Sequence, residues 1–334
     1  MKRKINQKGK IITDWVIIVI VLLISFIVIL FLLVRIYWLP VIDKQTCHQS
    51  VIYRSSAKLG PLQASTKTIP LKCETEKICF SMSGDDCVDL SSTKKNPVKK
   101  IKLSKDITKA KETIKETIAE SMRECHWMLG EGKLNFMPAS GFKANYGLVC
   151  TRFVFDDEAK KTVQSITYPE LFVTLEKKTL SDGRSYLEYL YPGWKESKQA
   201  LQMFEAYAQN PQILKENPGI GNLNPADWKI VLDNERGYAI LAQISPPGNW
   251  KSWALAGASA VSIPVGAAFL ASGIGAPVGF TILGLSSAAG AITGGAVLWY
   301  SYPEKYDYAP PFIYEFDIDK LKNIGVYSFE IAPS

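Results

Sequence analysis

The chain of 334 residues holds only two histidines, His48 and His126. Ser–His and Cys–His dyads therefore have few forms open to them. No CxxC pair occurs among the six cysteines, and each histidine merely adjoins a cysteine, so zinc-site spacing is missing. HExxH, GxSxG and phosphate-loop signatures are absent, and Gly273-x-Gly275-x-x-x-Gly279 has the wrong spacing for a dinucleotide turn. No N-x-[Ser/Thr] acceptor is present, which argues against conventional N-glycosylation. Charge is missing too: not one charged residue lies between Lys251 and Glu304. These absences predict no catalytic residue, no cofactor and no metal. A carboxylate pair acting on an envelope polymer stays open as an alternative, because acids are numerous and nothing selects a pair.

What charge there is sits unevenly. The net charge is +7, and residues 1–35 supply most of it through Lys2, Arg3, Lys4, Lys8, Lys10 and Arg35 against the single acid Asp14. Such a distribution marks a topogenic N-terminus and predicts no nucleic-acid partner. From Trp15 to Val34 the chain is free of charge and dominated by Ile, Val, Leu and Phe. A helix of that length spans roughly 30 Å, the thickness of a bilayer's hydrocarbon core. The run ends in Val34-Arg35-Ile36-Tyr37-Trp38-Leu39-Pro40, without the small residues of a cleavage site. Residues 15–38 therefore read as an uncleaved anchor. The positive-inside rule keeps residues 1–14 in the cytoplasm and exports the chain beyond the anchor.

Cys47, Cys73, Cys79, Cys87, Cys125 and Cys150 all lie just after the anchor. An even number confined to the exported part reads as a disulfide framework whose pairing the sequence leaves open. Residues 43–100 read as a stapled, loop-rich subregion, and residues 101–250 as an α+β ectodomain. Ile107, Ala110, Ile114, Ile118, Met122 and Cys125 recur at helical spacing and predict a helix over 104–128, stopped by Gly130 and Gly132. Leu148–Phe155 reads as a strand, and a Cys125–Cys150 bridge would fasten that helix to it. Further strands are expected at 163–175 and 185–190, a helix at 196–208, and a surface loop over Asn217–Asp227. The dense segment Cys125–Lys133 reads either as a binding loop or as the end of a core helix. The second reading is favoured.

The charge-free run divides at Ser272–Pro277 into two arms, Trp253–Ser272 and Pro277–Trp299. Trp250 and Trp253 open it, and Trp299, Tyr300 and Tyr302 close it, so both ends should lie at one membrane surface. A membrane hairpin over 251–303 results. Gly275/Gly279 and Gly290/Gly294 stand four residues apart, a spacing that lets helix backbones approach closely in lipid. Before the hairpin, 228–232 and 238–244 are strand-like with a turn between them. After it, 312–318 and 326–331 alternate with period two. The economical expectation is one external sheet, completed by residues 304–334, with the hairpin inserted between its strands.

Two resemblances accompany these readings. Gly9 after basic residues, with Asp14 five positions on and an apolar run beyond, resembles the N-terminus of type IV prepilins. That resemblance implies cleavage after Gly9 and a pilin-like surface subunit, although the acid is Asp and Pro40 interrupts the helix. The stretch through Cys125-His126-Trp127, Gly130-x-Gly132-Lys133 and Cys150 resembles uncharacterised membrane-anchored, exported proteins of small-genome archaea, which implies an archaeal cell surface. The expected role is an envelope protein of the cell membrane that touches lipid and assembles as a homo- or hetero-oligomer with other membrane proteins.

Overall fold

The computed structural model describes residues 17–30, 44–56, 70–90, 92, 96–134, 136, 146–191, 229–232, 237–245, 300–302, 306–317 and 326–327. They belong to two compact units, Met1–Asp43 and Lys44–Ser334. Gly9, Asp14, Gly275, Gly279, Gly290, Gly294 and the expected helix at 196–208 lie outside the described residues. In the first unit, helix α1 (residues 17–30) exposes every apolar side chain it carries, from Leu30 at 44% to Leu22 at 64%. Among the described residues no helix is long and apolar enough to cross a membrane.

The second unit is α+β, built on a mixed sheet. Its strands are β1 (Glu76–Ser81), β2 (Val98–Lys102), β3 (Tyr146–Phe155), β6 (Tyr238–Ser245), β7 (Tyr300–Tyr302), β8 (Tyr306–Glu315) and β9 (Val326–Tyr327), in the order β2-β1-β3-β6-β8-β7. The first three are parallel, while β6, β8 and β7 follow antiparallel. β9 pairs parallel with Gly147 and Leu148, on β3. A smaller antiparallel pair joins β4 (Ser165–Thr167) to β5 (Lys229–Val231). One sheet thus draws strands from both sides of the expected hairpin, and β7 takes Tyr300–Tyr302, expected as the close of the hairpin over 251–303, into that sheet.

Helix α3 (Ile107–Met128) lies against this sheet. Asp106 caps its start by accepting from the Thr108 and Lys109 amides at 2.9 and 3.3 Å. Its apolar stripe is buried at Ala110, Ile114, Ile118, Met122 and Cys125, whereas Ile107, expected in the same stripe, is 48% exposed in the first turn. Cys125 bonds to Cys150. The register of β3 against β6 shifts between Val149 and Thr151, so Cys150 sits at a bulge, the device that re-aims a side chain within a sheet. The other bridges are Cys47–Cys73 and Cys79–Cys87. Cys47 and Cys73 belong to the main core, together with Ile78 and Phe80. The stretch 43–100 thus contributes helix α2 (Lys44–Ser56), β1 and β2 to the same body.

Three local expectations are corrected. Residues 163–175 form only the short β4 before helix α5 (Tyr168–Lys177) begins. Thr167 caps α5 in a capping box with Glu170, and a proline opens its first turn, which outweighs the β-branched and aromatic content. Residues 186–190 form helix α6 (Tyr186–Leu190), capped by Ser185. The strands on either side of 233–236 do not pair as a hairpin. β5 pairs with β4, and β6 pairs with β3 and β8. Within β8, Pro310 and Pro311 fall opposite the register shift between Leu241 and Gln243, where no ladder N–H is needed.

Candidate functional site

β1 and β3 are neighbouring parallel strands whose chains depart in opposite directions. β1 leads to β2 on its far side, whereas the next sheet strand after β3 is β6, on the other side. In open α/β arrangements the crevice at the carboxyl ends of such strands is where ligands gather. Here it is a cleft of about 510 Å³, lined from one side by Ser83, Asp85, Asp86 and Asp89 and from the other by Asp156, Asp157 and Glu158. Helix α4 (Asp157–Val163) adds Lys160 and Lys161.

Asp156 organises the cleft. Its Oδ2 accepts from the Ser81 hydroxyl at 2.7 Å and from the Ser83 hydroxyl and amide at 2.8 and 3.0 Å. Its Oδ1 accepts from the Ala159 amide at 2.8 Å and caps α4. Burial alone would raise this carboxyl, but the bonds from Ser81, Ala159 and Ser83 hold it below the usual aspartate range. The acids 85–89 are fixed differently. The Cys79–Cys87 bridge ties their loop to β1, and Lys100 on β2 holds Asp86 at 2.7 Å. Cys79, Cys87, Leu90 and Val154 form a small separate core beneath it. Six carboxylates face two lysines here, so the cleft lining carries an excess of negative charge. Among the described residues, no group of three or more His, Cys, Asp or Glu side chains is arranged to hold a metal ion.

The segment Cys125–Lys133 takes the structural role. Leu129 ends α3, and Gly130, Glu131 and Gly132 come next with φ of 72°, 56° and 70°. Left-handed backbone at a helix end is a glycine conformation. Two glycines surround the one residue that must tolerate it. Glu131 accepts from the Tyr189 hydroxyl at 2.9 Å and from Lys133. Burial would raise its carboxyl, but these two donors keep it below the usual glutamate range. His126, next to the bridged Cys125, is buried, and burial pushes its imidazole down to about 3. Its Nδ1 lies 3.0 Å from the Tyr308 hydroxyl. Trp127 stacks on His48 at 4.2 Å and packs against the core, and Met128 is buried. The helix end completes the core, in agreement with the favoured of the two readings.

All six cysteines expected to form disulfides do so. Sequence reasoning does not single out the cleft acids. Their signal is present only in outline: acid-rich runs at 85–89 and 156–158, each following an apolar strand. No known protein family matches the chain, and no curated protein or solved structure resembles it.

Proposed function

We propose that this chain is a membrane-anchored envelope protein with a structural or interaction role, which assembles through its Gly-rich charge-free segment and presents a disulfide-bonded α+β domain outside the cell. One observation carries the reading. Ser245 at the end of β6 and Ser301 in β7 both pair with Asp307 at the start of β8, so the chain leaves the sheet before the charge-free run and rejoins the same sheet at the close of that run. A segment tethered at both ends to one end of a sheet crosses a bilayer an even number of times, as a hairpin does. Three disulfides support the oxidising side of the membrane. The small residues at Gly275/Gly279 and Gly290/Gly294 supply close helix contacts in lipid.

The test is Gly290→Leu combined with Gly294→Leu in the full chain. Loss of detergent-resistant oligomers supports the reading, and unchanged assembly counts against it. Intact-mass measurement separates the pilin-like alternative, in which the mature chain begins at Lys10. The envelope-polymer hydrolase alternative predicts breakdown of an isolated envelope polymer, lost on mutating one carboxylate pair.

A further inference from the structure

The folded unit has two distinct ends. Lys44, where the chain enters it, binds Glu76 at the first residue of β1 at 3.1 Å and Glu124 near the end of α3. β1 begins here opposite Thr151, while β3, parallel to it, starts further back at Tyr146, at the end of the sheet away from the cleft. β6 is antiparallel to β3 and therefore finishes here at Ser245, while β8 starts here beside it. Ser245 and Ser301 both stand opposite Asp307, on either side of β8, which places these two residues roughly 10 Å apart. Gly132, at the end of α3, packs on the Tyr308 ring at the same level. Both connections to the charge-free run thus leave the sheet at the end where β3 begins. The acidic cleft occupies the end where β1 and β3 finish. Along β3 the two ends are roughly 30 Å apart.

Resting on the membrane-anchored reading, we propose that the end bearing Ser245 and Asp307 lies against the bilayer surface and that the acidic cleft faces away from it. Connectivity is one support. The aromatic residues bordering the run, among them Trp250, Trp253 and Trp299, prefer the lipid–water interface. Electrostatics is the other. A cleft with six carboxylates is repelled by anionic headgroups, and a separation of roughly 30 Å exceeds the Debye length of about 8 Å at physiological salt. In this orientation the strands stand along the membrane normal. The cleft meets water-borne cationic partners, and lipid is out of its reach.

The full chain, reconstituted in phosphatidylcholine–phosphatidylglycerol vesicles with a headgroup-linked acceptor dye, tests this. A donor dye is placed at Val88→Cys in one sample and at Lys133→Cys in another, the native cysteines being bridged. Val88 is 97% exposed at the cleft, and the Lys133 side chain is 63% exposed beside the Tyr308 level, so both dyes face solvent and the second change gives up only the Lys133–Glu131 ion pair. Energy transfer to the lipid should be strong from position 133 and weak from position 88. Equal or reversed transfer, in protein that floats with the vesicles, overturns the orientation alone. Protein that does not float overturns the membrane reading beneath it.

Discussion

His126 on α3 and Tyr308 on β8 meet through a 3.0 Å hydrogen bond across a sequence separation of 182 residues. The bond ties the end of a helix formed early in the chain to the strand that comes after the charge-free run. It also fixes a titratable group where water cannot reach it.

That burial sets a pH dependence. The imidazole is held at about 3 when folded and returns to its ordinary value of 6.5 when unfolded. The unfolded chain therefore binds the proton first. The contribution is fully present above about pH 6.5 and is lost as pH falls toward 3. The loss should run at roughly 1.4 kcal/mol per pH unit within that window. Denaturant unfolding of the full chain at pH 7, 6 and 5 should show this slope, and His126→Gln should flatten it.

Asp156 is the acceptor for four donors from Ser81, Ser83 and Ala159. Asp156→Ala should destabilise the unit by about 2–3 kcal/mol, because buried donors lose their partner and α4 loses its cap. Asp156→Asn keeps an acceptor and should lose roughly half as much. Thermal unfolding midpoints would rank the three proteins, and an unchanged alanine variant would contradict the role given to this carboxylate.

Glycine positions separate strain from clash. Gly237 has φ of 72°, and a Cβ there would lie 2.5 Å from the Phe153 carbonyl oxygen. Gly84 has φ of 92° with open space around it. Gly84→Ala should cost about 1–2 kcal/mol from backbone strain alone. Gly237→Ala should cost clearly more, since backbone of β3 would have to move. Paired stability measurements decide it.

The bridges should contribute unequally. Cys125–Cys150 closes a separation of 25 residues and Cys79–Cys87 one of 8. Replacing the first pair with alanines should lower stability by about 3 kcal/mol, and the second pair by less on the loop-entropy account. Loss of Cys79–Cys87 should instead show as faster amide exchange over residues 83–89, with the α3 amides unaffected.

Much of the framework is legible because its signals are local. The α3 stripe keeps helical spacing from Ala110 to Cys125, and Asp106 caps it. The strands flanking the charge-free run show their β pattern directly. Where the sequence misleads, a short-range cap outweighs composition. At 163–175, Ile166, Phe172 and Val173 suggest a strand, yet Thr167 and Glu170 close a capping box. Leu232 and Tyr238 bracket a turn signal, but the strands on its two sides find different partners. The cleft is hidden for a different reason. Its acids come from runs about 70 residues apart, brought together by the parallel pairing of β1 with β3, which leaves no short-range trace.

The pairing of β6 with β8 also has a consequence in time. β6 is complete at Ser245, but its partner begins only at Tyr306. At a synthesis rate of about 5–20 residues per second, β6 emerges roughly 3–12 s before the strand that covers its open edge. During that interval the half-built sheet presents a bare, apolar rim. The rim closes only when Tyr306 and the residues after it have followed, so the sheet is completed by one of the last parts of the chain to be made.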